Sequence, residues 1–162
     1  MNSTSRLLVF LALPLFAADQ LTKWLVLQHI LPGEEVPVIP GFLNLVQVHN
    51  TGAAFGMLRD NNAFFIVLAS VALVVVAVLA RRGAFECPLQ RIGAVLLVPG
   101  ILGNLADRIS HGFVVDFIDV ILPLYGHWPA FNVADSCICI AAGLFLVSSV
   151  LPAAPGKNPT PP

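Results

Sequence analysis

Four long apolar segments, at about residues 7–28, 62–80, 91–108 and 134–151, limit how this chain can fold more than any other feature. A helix that spans a bilayer needs about 20 mostly apolar residues, and each segment is close to that length. The chain is 57% hydrophobic and 10% charged, a composition that excludes an ordinary soluble domain. We therefore predict an all-α membrane protein in which residues 1–151 form one polytopic domain of four transmembrane helices.

The first apolar segment has two interpretations. Arg6, the apolar run 7–15 and the small residues at 17 and 18 are typical of a cleaved secretory signal. The apolar character resumes after Asp19, however, and gives one segment of spanning length instead of a short signal core. We therefore expect a retained helix.

The basic residues predict the orientation of the helices, because lysine and arginine near helix ends accumulate on the cytoplasmic side. In a four-helix topology one side carries Arg6, Arg81, Arg82, Arg91 and Lys157. The other side carries Lys23, Arg59 and Arg108 together with acidic residues. Both termini are therefore predicted to be cytoplasmic.

The segment 152–162 is rich in proline and is predicted to be a disordered tail.

The connection between the first two helices is too long for a tight turn. Within residues 34–58, prolines and a glycine precede a β-type run at 42–49, which predicts a small extracytoplasmic β-sheet. The segment 112–129 is similarly mixed. Its aromatic residues suit the membrane interface, and they are Phe113, Phe117, Tyr125 and Trp128.

Asp116 and Asp135 lie at the edges of apolar stretches, where an unpaired charge costs several kcal/mol. Two carboxylates that are close together cannot both ionise easily, so one keeps a proton and the pair can act as general base and general acid. The same residues could serve a small proton-coupled transporter, or belong to a non-enzymatic assembly subunit. A transporter would be expected to show an internal repeat, which the sequence lacks.

Further polar residues surround this pair in the sequence. Asn132 is a predicted N-cap for the fourth helix, whose first turn contains Asp135, and the helix dipole there would favour an ionised Asp135 and a protonated Asp116. Asp119 is a third candidate, although we expect a solvated or structural loop carboxylate. The predicted turn-rich loop would bring Asp116, at the end of the third helix, to the start of the fourth.

Two sets of polar and charged residues have the spacing of neighbours on a helix. Asp19 and Lys23 are spaced i, i+4 and can pair on one helix face. Asn104, Asp107 and Arg108 are neighbours near the end of the third helix, where an arginine could hold carboxylates by bidentate hydrogen bonds.

The sequence gives no motif for metal, cofactor or nucleic-acid binding. The histidines and cysteines lack the short repeated spacings of zinc ligands, and they are His29, His49, His111, His127, Cys87, Cys137 and Cys139. The basic residues are scattered instead of forming a stripe. We therefore expect no metal, no cofactor and no nucleic-acid partner.

Five blocks of the sequence resemble the lipoprotein signal peptidases, also called signal peptidase II, of bacterial inner membranes. They are residues 19–23 (DQLTK), 50–56 (NTGAAFG), 100–108 (GILGNLADR), 114–117 (VVDF) and 131–136 (FNVADS). The resemblance implies four transmembrane helices with a small extracytoplasmic β-sheet and a helical outer loop. The orientation predicted from the basic residues puts the active site near the outer face.

The resemblance also implies a role for each matched residue. Asp116 and Asp135 would be the catalytic dyad of an aspartic endopeptidase. The residues expected to bind substrate or support the site are Asn50, Gly52, Asn104, Arg108, Asn132 and Ala134, and the polar shell would comprise Asp19, Lys23 and Asp107. The implied substrate is a prolipoprotein whose cysteine carries diacylglycerol, cut just before that cysteine. Membrane lipid is the other expected partner, and we expect a monomer.

Overall fold

The computed structural model describes residues 8–52 and 58–151. Within them, four helices are long and apolar enough to cross a membrane. They are α1 (Leu13–His29), which continues a π-helical turn at Leu8–Ala12, α2 (Asn62–Arg81), α3 (Pro88–Ser110) and α4 (Val133–Val150). The predicted architecture of four apolar helices is confirmed, and α3 extends further at both ends than the sequence indicated.

A small antiparallel sheet joins the two connections at one end of the helices. Its strands follow the order β1 (Glu35–Ile39), β2 (Leu43–Asn50), β3 (Val114–Leu122) and β4 (Gly126–His127). The first two lie between α1 and α2, and the last two lie between α3 and α4. The predicted β element is therefore present, but half of it comes from the segment 112–129, where the sequence had predicted only mixed structure.

Glycines allow α3 to approach α1 and α4 closely. A Cβ at Gly100 would lie 2.7 Å from the backbone oxygen of Ala134, and one at Gly103 would collide with the carboxylate of Asp19. Small residues at such crossings are common in membrane helices because they let backbones come together.

A hydrophobic cluster fixes the sheet to the end of α1. Val26 of α1 and Ile30, which directly follows that helix, pack with Val115 and Phe117 of β3. Phe117 is only 6% exposed, so its predicted place at the membrane interface is wrong: alternate residues of β3 point inward, and Phe117 shares the inward face with Val115.

Two sequence predictions concern residues that the structure does not describe. The helical outer loop falls partly on residues 53–57, and the proline-rich tail is 152–162. Both lie outside the described residues. Residues 58–60, which follow the first of these gaps, form a turn.

Candidate active site

Asp116 lies inside β3, where its carboxylate is buried and held by two amides. The side-chain amide of Asn50 donates to Oδ2 at 2.9 Å, and that of Asn132 donates to Oδ1 at 2.7 Å. The side chain is 2% exposed. Asp116 therefore does not lie at the end of the third helix, as the sequence suggested; the pairing of β3 with β2 brings it beside Asn50.

Asp135 lies in the first turn of α4, and Asn132 is the N-cap of that helix. The backbone amide of Asp135 donates to Asn132 Oδ1 at 2.8 Å, and the backbone amide of Asn132 donates to Asp135 Oδ2 at 3.2 Å. This reciprocal capping box confirms the predicted N-cap. It also places the carboxylate at the positive end of the helix dipole, which favours its ionised form.

Two asparagine side chains connect the two carboxylates. Asn132 donates through Nδ2 to Asn104 Oδ1 at 3.1 Å, in addition to its bond with Asp116. Asn104 in turn donates through Nδ2 to Asp135 Oδ1 at 2.7 Å. The aspartates, which are far apart in sequence, are therefore linked by a continuous chain of amide hydrogen bonds.

Lys23 sets the direction of this chain of hydrogen bonds by fixing the orientation of the Asn104 amide. Its ammonium group lies 3.0 Å from Asp19 Oδ2, 3.0 Å from Asp107 Oδ2 and 3.0 Å from Asn104 Oδ1. Because an ammonium can only donate, the oxygen of Asn104 faces Lys23 and its NH₂ group faces Asp135. The predicted pairing of Asp19 with Lys23 is confirmed.

The two carboxylates around Lys23 also attach the helices to the site. Asp19 Oδ1 accepts from the backbone amide of Ala134 at 2.8 Å, and Asp107 Oδ2 accepts from that of Val115 at 3.0 Å. Gln20, for which no sequence pattern predicted a role, donates to Asp19 at 3.1 Å and to Asp107 at 3.4 Å. The polar shell thus ties α1 to both α4 and β3.

Arg108, which was expected to bind substrate or support the site, contacts a loop backbone and an aromatic ring. Its Nη2 donates to the backbone oxygen of Gly52 at 3.0 Å, and its guanidinium lies 4.7 Å from the ring centre of Phe65. In the part of the chain that the structure describes, it forms no ion pair with a carboxylate. The backbone amide of Gly52 donates to Asn50 Oδ1 at 2.9 Å, so Arg108 holds the segment that contacts Asp116.

The two aspartates open onto a common cavity of about 1140 Å³. Its polar wall includes Asn50, Asn104 and Arg108, and residues 138–140 of α4 provide an apolar wall next to Asp135. A large cleft with mostly apolar walls and a few convergent polar groups is the usual form of a ligand site.

The environment of Asp116 favours its protonated form. Burial, followed by the charge of Asp135, raises the pKa of Asp116 from 3.8 to about 7, against the hydrogen bonds from Asn50 and Asn132 and the charge of Lys23. A carboxyl group with such a pKa can hold and release a proton near neutral pH.

Asp119, the third candidate in the sequence, lies outside this cavity. It is 5% exposed and contacts Asn44 at 3.1 Å and His127 at 2.8 Å. Asp119 was expected to be a solvated or structural loop carboxylate; its contacts fit the structural alternative, but it is buried in β3 and does not lie in a loop. The other predicted site residues contact the dyad or the residues that hold it.

Comparisons with known proteins relate this chain to a family of membrane enzymes. The profile of the Peptidase A8 family, signal peptidase (SPase) II, matches residues 11–151. The lipoprotein signal peptidase of Syntrophotalea carbinolica is 44% identical over 146 residues, which cover 88% of this chain and 90% of that protein. The lipoprotein signal peptidase of Symbiobacterium thermophilum is 41% identical, with 88% and 93% covered.

A solved bacterial membrane enzyme has the same fold. It superposes with a TM-score of 0.81 at 32% identity, covering 88% of this chain and 87% of its own. The family is one of proteases, and none of these matches supports a transporter. This chain belongs to the signal peptidase II family.

Proposed function

We propose that Asp116 and Asp135 form the catalytic dyad of an endopeptidase that removes the signal peptide from diacylglyceryl-modified prolipoproteins, just before the lipidated cysteine. The observation that carries this proposal is the chain of amide hydrogen bonds that links the two carboxylates at the wall of one cavity. The names of the related lipoprotein signal peptidases support the substrate class.

The two aspartates have different roles in this mechanism. Asp135, which accepts two amide hydrogen bonds at the N-terminus of α4, is the ionised general base. It takes a proton from water as the water oxygen attacks the scissile carbonyl carbon. Asp116, whose pKa is raised to about 7, is the general acid. It protonates the leaving nitrogen as the carbon–nitrogen bond breaks, and the proton on Asp135 then restores the starting state of the pair.

Fixed donors keep these roles distinct. Both oxygens of Asp116 accept from asparagine amides, and Lys23 orients Asn104 towards Asp135. The carboxylates consequently need little rearrangement as charge develops on the substrate, which is the general advantage of a preorganised site.

The lipid explains why such a site would lie at a membrane surface. A diacylglyceryl group partitions into the bilayer and delivers the adjacent peptide bond, so binding energy away from the reaction can position the bond. The apolar residues 138–140 beside Asp135 suit the lipid end of the substrate. The segment Asn50 to Gly52, held by Arg108, would contact the peptide from outside.

We further propose that the enzyme lies in the bacterial inner membrane, with both termini in the cytoplasm and the dyad near the outer face. The distribution of lysine and arginine supports this orientation. Every residue of the dyad and its amide chain belongs to one chain, so a monomer is sufficient for catalysis.

The test uses purified enzyme with lipidated and unlipidated forms of one precursor. We expect cleavage of the lipidated form only, and its loss in the Asp116→Asn and Asp135→Asn variants. Glu34→Gln, which changes an exposed carboxylate outside the cavity, is the matched control and should cleave normally. Equal cleavage of both precursor forms would contradict the proposal that the substrate must carry diacylglycerol. Proton flux into vesicles without any peptidase activity would favour the transporter.

A further inference from the structure

The outer sheet carries a second polar cluster, which is separate from the dyad. Each strand contributes one member: Glu35 from β1, Asn44 from β2, Asp119 from β3 and His127 from β4. Asn44 is the direct cross-strand partner of Asp119. His127 is the partner of Ile121, which lies on the same face of β3 as Asp119 because side chains alternate along a strand.

Glu35, Asp119 and His127 bring atoms that can bind a metal close together. One carboxylate oxygen of Glu35, one of Asp119 and one ring nitrogen of His127 all lie within 4.8 Å of one another. His127 Nδ1 is already 2.8 Å from Asp119 Oδ2. Tetrahedral ligands at about 2.0–2.2 Å from zinc are about 3.4 Å apart. The exposed side chains of Glu35 and His127 would need only small rotations to reach that spacing.

The charges of the cluster favour a cation. Two carboxylates converge here, and Asn44 Nδ2 orients both of them, at 3.1 Å from Asp119 and 3.4 Å from Glu35. The amide is neutral and leaves their repulsion in place. Among the described residues, no lysine or arginine forms an ion pair with either carboxylate.

We propose that Glu35, Asp119 and His127 bind a divalent transition-metal ion, and that zinc fits best. One imidazole nitrogen with carboxylate oxygens is a donor set that zinc accepts, and water would complete the coordination. The hydrogen bonds that Asn44 donates would hold the two carboxylates in the orientation needed to bind the metal. The sequence gave no sign of this site, because its ligands come from three strands and lack a local spacing.

Metal binding at this point would stiffen one wall of the active-site cavity. Residues 128–131 follow directly after His127 and line that cavity. The short strand β4 is joined to β3 through the pairs Ile121 with His127 and Leu122 with Gly126. A metal ion would add a bond from β4 to both β3 and β1, so the site has a structural role distinct from peptide cleavage.

The test measures binding of Zn²⁺ to tag-free full-length protein in detergent by calorimetry, with Co²⁺ absorption spectra to report imidazole and carboxylate ligation. We expect one ion per chain. We also expect at least tenfold weaker binding in each of Glu35→Gln, Asp119→Asn and His127→Gln. His111→Gln is the matched control, because His111 is also exposed but lies outside the cluster.

Thermal unfolding of each variant without metal shows that the protein is folded, and Zn²⁺ should raise the melting temperature of the wild type and His111→Gln only. Equal Zn²⁺ affinity in His127→Gln and His111→Gln would overturn the proposal, as would a wild type that binds no Zn²⁺. Neither measurement uses peptidase activity, so this site and the proposed function can fail separately.

Discussion

The raised pKa of Asp116 predicts a specific dependence of stability on pH. The value is about 7 in the folded protein against 3.8 ordinarily, so the folded state keeps a proton that the unfolded chain has lost. Below pH 3.8 both states are protonated, and the carboxyl group causes no penalty. As the pH rises towards 7, the free energy of unfolding falls by about 1.4 kcal/mol per pH unit, or about 4 kcal/mol in all. Above pH 7 the penalty is constant.

Asp116→Asn removes this dependence, because an amide does not titrate. The new NH₂ group must face one of the amides that now donate to Asp116, from Asn50 or Asn132. The variant therefore loses about one hydrogen bond, worth about 1 kcal/mol at any pH. We expect Asp116→Asn to be about 1 kcal/mol less stable than the wild type at pH 4 and about 3 kcal/mol more stable at pH 8.

Reversible unfolding in a neutral detergent, followed by tryptophan fluorescence between pH 4 and pH 8, measures this difference. Titrating groups distant from Asp116 contribute equally to both proteins and cancel. Glu34→Gln should differ from the wild type by a small constant amount, since its carboxylate is exposed. A difference between Asp116→Asn and the wild type that stays constant with pH would refute the proposed protonation of Asp116.

Three further predictions concern the residues around the dyad. The value of kcat/KM should fall above about pH 7, as Asp116 loses its proton. Asn50→Ala should move this fall to higher pH, because the Asn50 hydrogen bond lowers the pKa of Asp116. A fall at the same pH in the variant and the wild type would contradict the assignment of Asp116 as the general acid. Lys23→Met leaves two buried carboxylates unpaired and should cost about 3–5 kcal/mol of unfolding free energy, whereas a loss below about 1 kcal/mol would contradict the network. Gly100→Ala should cost about 1–3 kcal/mol, while Gly143→Ala, with no atom within 4 Å of its new Cβ, should be neutral or stabilising; equal effects in denaturant titrations would contradict the close packing of α3.

The helical part of the site could be predicted because helix periodicity decides which residues share a face. The spacing of Asp19 and Lys23 was enough to pair them, and the Asn132 cap followed from the start of an apolar run. The strand that carries Asp116 could not be recognised in the same way. A short apolar run such as 113–117 fits a strand or a helix equally well until its pairing partner is known.

Contacts between distant segments were also beyond the sequence. Arg108 could have held carboxylates, but its Nη2 donates to the backbone oxygen of Gly52 instead. Asp119 was expected to be a solvated or structural loop carboxylate, whereas the register of β2 and β3 places it in a strand against Asn44. Both outcomes depend on how the strands pair. The register between β2 and β3 shifts between Leu45 and Val48, and no local sequence pattern reveals such a shift.

The decisive measurement is single-turnover cleavage of a lipidated precursor by folded Asp135→Asn protein, beside the wild type and Glu34→Gln. An amide at position 135 keeps the shape of the side chain but cannot accept a proton from water. We predict cleavage by the wild type and Glu34→Gln, and a rate at least about 10³-fold lower for Asp135→Asn. Wild-type cleavage by Asp135→Asn would contradict the assignment of Asp116 and Asp135 as the catalytic pair.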